Sequence, residues 1–88
     1  MSIDNTLKAL NDKNRREILK MLRKKPMTAG EIGEEFSMSA ATVSYHLSIL
    51  LDSGLVFLHK EKNYRIYSLN TSVLEELTAY MISFMEGK

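Results

Sequence analysis

The stretch from Thr28 to Gly54 constrains this chain more than any other, because it packs two complete helix signals together with almost nothing between them. Thr28-Ala29-Gly30-Glu31 sets Thr and Glu three residues apart, the pattern of a capping box in which each side chain satisfies the other's free backbone N–H. A short helix follows, with Ile32 and Phe36 on its inward side. Only Ser37-Met38 separates it from Ser39, a good N-cap for a longer helix running from Ser39 to Ser53. In that helix Ala40, Val43, Leu47, Leu50 and Leu51 share one face at about 100° per residue. Gly54 supplies the C′ glycine that ends it. A capped short helix, a tight connection and a longer helix stopped by glycine predict a helix-turn-helix.

Beyond Gly54 the period changes. Leu55-Val56-Phe57-Leu58 and Tyr64-Arg65-Ile66-Tyr67-Ser68-Leu69 are rich in β-branched and aromatic residues, and the polar run Lys60 to Asn63 lies between them. This predicts a β-hairpin with a charged tip, a wing beside the helix-turn-helix. The tip lacks glycine, and Asn63 is the residue expected to take the left-handed conformation there. Asn70, Thr71 or Ser72 caps a last helix, with Ser72 and Glu75 offering a second capping box. On the N-terminal side Ile3, Leu7 and Leu10 recur at helical spacing, and Ile18, Leu19 and Leu22 continue the pattern after the cap pair Asn11-Asp12. The only proline, Pro26, closes that second helix. The expected fold is mainly α with a small β-hairpin, a winged helix-turn-helix in the order α-α-α-α-β-β-α, one domain over residues 1–88.

A domain of 88 residues buries a modest core, and with no cysteine it has no disulfide to compensate. The last helix presents Val73, Leu74, Leu77, Tyr80, Met81, Phe84 and Met85, more apolar surface than one terminal helix can hide on so small a core. A homodimer is therefore expected, through Ile3, Leu7 and Leu10 of the first helix and Leu74, Leu77, Tyr80, Met81 and Phe84 of the last. The start of the chain has no basic segment followed by an apolar run, and no stretch reaches the length of a membrane span, so a cytoplasmic protein is expected.

The net charge is only +1, but its distribution is uneven. Eight basic residues fall between Lys8 and Lys25 against Asp12 and Glu17 alone, whereas Pro26 to Gly54 holds four acidic residues and no lysine or arginine. The hairpin returns to positive through Lys60, Lys62 and Arg65 against Glu61. With Val43 and Leu47 facing the core, Ala41, Thr42 and Tyr45 point away from it, and Ser44 and His46 lie on the flanks. A helix without lysine or arginine cannot make the bidentate arginine contact to guanine, so small hydroxyls and methyls would read a DNA groove. Ser39, Thr42 and Ser44 offer hydrogen bonds, Ala40 and Ala41 allow close approach, and Tyr45 and His46 can bond phosphates. The phosphate grip then falls to Arg15, Arg16, Lys20, Lys24 and Thr28 on one side and to Lys60, Lys62, Asn63 and Arg65 on the wing. Plainer roles stand beside these: Ser39 as a cap alone, Thr42 and Ser44 as solvated hydroxyls, His46 as an ordinary half-buried histidine or a dimer contact, and Arg15 and Arg16 as partners of Asp12, Glu34 or Glu35.

Thr28-Ala29-Gly30-Glu31-Ile32, Ser39 to Leu47, Leu50, Gly54-Leu55-Val56 and Tyr67-Ser68-Leu69, with Asn14-Arg15-Arg16-Glu17-Ile18-Leu19, resemble the ArsR family of winged-helix repressors over nearly the whole chain. The resemblance implies a repressor that binds an inverted-repeat operator in double-stranded DNA as a dimer. Many relatives sense metals through cysteines at the start of the third helix or histidines and carboxylates on the last. Here Pro26 to Glu31 holds no thiol and the last helix no histidine, so no metal and no cofactor are expected, and His46 and His59 are the only histidines. Tyr67-Ser68-Leu69-Asn70-Thr71 is similar to the family's metal-independent autorepressors, which implies relief by a protein antirepressor, membrane-bound or soluble, and no small-molecule substrate. An enzyme is excluded on local geometry, since Ser44 and His46 stand two apart on a helix and face different ways. A protein-docking winged helix and a repressor with an unrecognised metal or small-molecule inducer remain as alternatives.

Overall fold

The computed structural model describes residues 2–87. Its elements follow in the order α1 (Ile3–Leu10), α2 (Lys13–Lys24), α3 (Ala29–Phe36), α4 (Ala40–Asp52), β1 (Val56–Glu61), β2 (Tyr64–Leu69) and α5 (Thr71–Met85). Each helix starts where a short polar side chain can take up a free N–H. Ser2 accepts from Asn5, Asp12 from Arg15, Ser39 from Thr42, and Thr28 and Glu31 close both halves of their capping box. The start of α5 is settled in favour of Asn70: its side chain accepts from the Ser72 N–H at 3.1 Å while its Nδ2 donates to the Gly54 carbonyl at 2.8 Å. One residue thus caps α5 and ties it to the end of α4. The Ser72-Glu75 box is not used, because Ser72 lies inside the helix.

The connection between α3 and α4 is as tight as Ser37-Met38 allows. Ser37 sits in the left-handed region at φ 54°, and the Met38 N–H returns to the Gly33 carbonyl at 3.0 Å. A Cβ on Gly33 would stand 3.2 Å from the Met38 carbonyl oxygen, so glycine lets the turn fold back on its own helix. At the other end of α4, Gly54 takes φ 81° and redirects the chain into β1.

The hairpin pairs β1 and β2 antiparallel from Val56 opposite Leu69 to Glu61 opposite Tyr64, leaving Lys62-Asn63 as its tip. The left-handed residue there is Lys62, at φ 58°, and not Asn63. Met27 adds a bridge to the other edge of β2, exchanging both backbone hydrogen bonds with Tyr67. The core gathers Ile18, Leu19 and Leu22 of α2, Ile32 of α3, Val43, Leu47 and Leu50 of α4, and Leu55 and Val56. Val73 and Leu77 hold α5 against the rest, and beyond Leu77 every described residue of that helix is exposed.

One expected interface residue belongs to this core instead: Leu77 is 5% exposed in the single chain, so its own subunit covers it before any partner arrives. Leu10 is half-buried against the cluster and keeps part of its surface in an open groove. Leu7, Tyr80, Met81 and Phe84 are exposed as expected, joined by Ile82 and Met85. Ile3 and Leu74 are half-buried. No helix among the described residues is long and apolar enough to cross a membrane.

Candidate nucleic-acid interface

Helix α4 divides cleanly. Val43, Leu47 and Leu50 enter the core, while Ser39, Ala40, Ala41, Thr42, Ser44 and Tyr45 are exposed. Ser48 is exposed too, three residues on from Tyr45 and four from Ser44, and so extends the same face; the spacing was there to be read. From Ser39 to Ser48 the face carries no formal charge, and the exposed Asp52 adds an acidic group one turn further on. The hydroxyls of the face are partly organised before any ligand arrives, since Ser39 Oγ accepts from the Thr42 N–H at 3.1 Å and donates to Thr42 Oγ1 at 2.9 Å.

His46 is corrected. It is 5% exposed and turned inward, so it cannot reach a groove or a phosphate. Arg15 is corrected with it: at 6% exposure its guanidinium donates through Nε to the Ala9 carbonyl at 2.8 Å and through Nη2 to the Lys8 carbonyl at 3.1 Å. Its Nη1 lies 3.3 Å from His46 Nδ1. A guanidinium with its donors committed inside the fold is not a phosphate ligand. Asp12 Oδ2 stands 3.9 Å away, and the bond from the Arg15 backbone N–H, ahead of the Arg15 side-chain charge, holds the Asp12 carboxyl below its ordinary range.

The remaining cations fall into separate places. Arg16 donates to the Leu10 carbonyl at 2.9 Å and Lys20 pairs with Glu17 at 3.5 Å. Both line, with Arg23, a groove of about 470 Å³ floored by Leu10, Leu19, Leu69 and Leu74, to which α4 contributes nothing. Lys8 is different. It lines a cleft between α1 and α4 with Asn5, Tyr45, Ile49 and Asp52, which sets a cation beside Tyr45 of the exposed face, and periodicity alone gave no sign of that. Thr28 is half-buried with its hydroxyl in the capping box, and the Thr28 backbone bond holds the Glu31 carboxyl below its ordinary range.

On the wing Lys60, Lys62, Asn63 and Arg65 are all exposed. The register sets Lys60 directly opposite Arg65, two like charges on one face of the hairpin with no carboxylate within ion-pair distance among the described residues. Such a pair lowers hairpin stability, and the left-handed lysine at the tip lowers it further. Among the described residues no three histidine, aspartate or glutamate side chains gather as a metal site.

An exposed, uncharged helix face set beside a basic wing defines a winged helix-turn-helix of the DNA-binding class. Residues 12–56 match the model of the bacterial regulatory protein arsR family. The chain is 39% identical over 83 residues to the transcriptional repressor SdpR of Bacillus subtilis (strain 168), covering 94% of this chain and 92% of that one. It superposes on the crystal structure of an ArsR family transcriptional regulator with a TM-score of 0.87 at 26% identity, over 96% of this chain and 92% of the other. A homodimeric winged helix-turn-helix DNA-binding domain from Mycobacterium bovis shares the fold, with a TM-score of 0.78 at 24% identity over 96% of this chain and 79% of that one. This chain belongs to the ArsR family: it is a DNA-binding transcriptional regulator and not an enzyme.

Proposed function

We propose that the chain is a transcriptional repressor that binds an inverted-repeat operator as a homodimer, reads bases with α4, and grips phosphate with the wing. The observation that carries this reading is the pairing of Lys60 with Arg65 opposite one another, a costly arrangement that a polyanion relieves. Ala41, Thr42, Ser44, Tyr45 and Ser48 supply the reading face, on which methyls and hydroxyls take the place of charge. Repression is supported by the identity to the Bacillus subtilis repressor over nearly the full length of both chains. The dimer is supported by the exposed apolar end of α5, and its two-fold symmetry sets half-sites about one helical turn apart. We assign the release of DNA to a protein antirepressor rather than to a metal, because neither α3 nor α5 carries a thiol or histidine. Control of its own gene is the reading that the similarity of Tyr67 to Thr71 to metal-independent autorepressors supports.

Selection of duplexes from a random pool, followed by gel shift with the DNA upstream of its own gene, tests the reading. An inverted repeat, unaffected by chelator, is expected. Thr42→Ala is expected to relax preference at one base position per half-site by about tenfold. Equal losses on selected and random duplexes would remove Thr42 from the groove.

A further inference from the structure

Arg15 is a buried charge whose nearest carboxylate, Asp12, is 3.9 Å away, and its closer partners lie on two other helices. Two of them are carbonyls in the last turn of α1: that of Ala9, and that of Lys8, which also accepts from the Asn11 N–H at 3.1 Å. The third is Nδ1 of His46, at 3.3 Å. Because a guanidinium only donates, Nδ1 must accept, which places the imidazole proton on Nε2. Around His46 the hydrogen-bonded or ion-paired charged groups, among the described residues, are Arg15 and behind it Asp12. His46 in turn stands between Leu47, in the core, and Tyr45, 61% exposed on the reading face, whose ring meets the imidazole edge-on at 5.3 Å.

Val43, Leu47 and Leu50 fasten α4 through apolar packing, which is non-directional. The contact between Arg15 and His46 has the direction that this packing lacks, and the bonds from Arg15 to the Ala9 and Lys8 carbonyls tie it to the end of α1. We infer that Arg15 is a positioning residue for DNA reading: acting through His46, it sets the roll of α4 against the end of α1 and so aims Thr42, Ser44, Tyr45 and Ser48. The inference rests on α4 being the reading helix. It also joins the two ends of the regulator, because α1 is one of the expected dimer helices and α4 meets DNA.

The test uses the full chain and two probes, a duplex selected by the wild-type protein from a random pool and a mixed-sequence duplex of the same length. Arg15→Met and His46→Leu each weaken binding to the selected duplex by about tenfold or more, leave the mixed duplex within about twofold, and together cost no more than either alone. His46→Asn, whose side-chain oxygen replaces Nδ1 as acceptor, restores affinity to within about threefold. The slope of affinity against salt stays unchanged in all of them. A folded Arg15→Met with full affinity, a slope reduced as for a lost phosphate contact, or additive losses in the double variant would each overturn the inference. If Arg15→Met does not fold by circular dichroism, the His46 variants decide: His46→Leu binding like wild type, or His46→Asn as weak as His46→Leu, overturns it. A wild-type protein that selects no duplex overturns the reading role of α4 and the inference with it; one that selects while the variants match it overturns the inference alone.

Discussion

At the level of single residues, the informative side chains are those that stability alone would not have chosen. Lys62 holds φ 58°, a region that costs a residue with a Cβ about 1 kcal/mol. Glycine there removes the strain and the charge together, so the two consequences carry opposite signs. Lys62→Gly should raise the melting temperature by a few degrees at fixed protein concentration, by roughly 4 °C or more for about 1 kcal/mol in a domain of this size. The same change should weaken DNA binding. A variant that gains stability and loses no affinity would take Lys62 out of the grip. Asp12 makes the reverse case, a side chain whose contribution is structural. Its carboxylate caps α2 and is held below its ordinary range first by the Arg15 backbone N–H and then by the Arg15 charge. A lowered value in the folded state stabilises above the unfolded value and is lost as pH falls through the folded one. Asp12→Asn keeps a capping oxygen without the charge, so wild type should exceed it in stability near neutrality and lose that advantage below about pH 4. Denaturant midpoints measured across that range decide it; an advantage that persists in acid would assign it to something other than the carboxylate.

At the level of elements, most of the chain was legible because its boundaries are marked by local chemistry. Ser39, Thr28, Asp12 and Gly54 fix helix ends through hydrogen bonds to their own near neighbours, and such signals lie within three residues of where they act. What escaped needed contacts between distant segments. Nothing near Arg15 says that it turns inward to meet a histidine 31 residues on, and nothing near Met27 says that it bridges to Tyr67. The backbone conformation of the hairpin tip escaped for another reason, since Asn63 is the better left-handed residue by intrinsic preference, yet the register places Lys62 where the positive φ is needed. Helix α5 shows how far periodicity can go. It identified the apolar stripe but not where the subunit's own core stops, which is after Leu77. Substitutions on the two sides of that limit should therefore behave differently. Phe84, 69% exposed and stacked edge-on with Tyr80 at 4.8 Å, belongs to the uncovered end, and Phe84→Asp should give a folded monomer that binds DNA poorly. Leu77→Asp buries a carboxylate in the fold itself and should cost several kcal/mol, enough to unfold a small domain. Sedimentation and circular dichroism on both variants separate the cases; a folded, monomeric Leu77→Asp would move the boundary of the core.

For the whole molecule, a net charge of +1 tells almost nothing about nucleic-acid binding, and the placement of the charges tells a great deal. The eight cations between Lys8 and Lys25 look like one patch along the chain, but the fold separates them. Arg15 goes inside, Arg16, Lys20 and Arg23 line a groove bounded by α1, α2, β2 and α5, and Lys8 lies beside Tyr45. A dimer would then meet DNA through two reading helices without lysine or arginine and two basic wings, with affinity and specificity carried by different elements. Salt dependence measures that division directly, because each phosphate neutralised on duplex DNA contributes about −0.9 to the slope of log affinity against log salt. Arg65→Ala removes a cation from both wings and should reduce the slope by about 2, equally on selected and mixed duplexes. Arg16→Ala removes the same charge from both protomers and leaves the slope within about 0.5, since a screened change in overall field is smaller than the loss of a contact. If the two variants instead reduce the slope alike, the first basic segment shares the grip with the wing, and the groove it lines opens toward DNA.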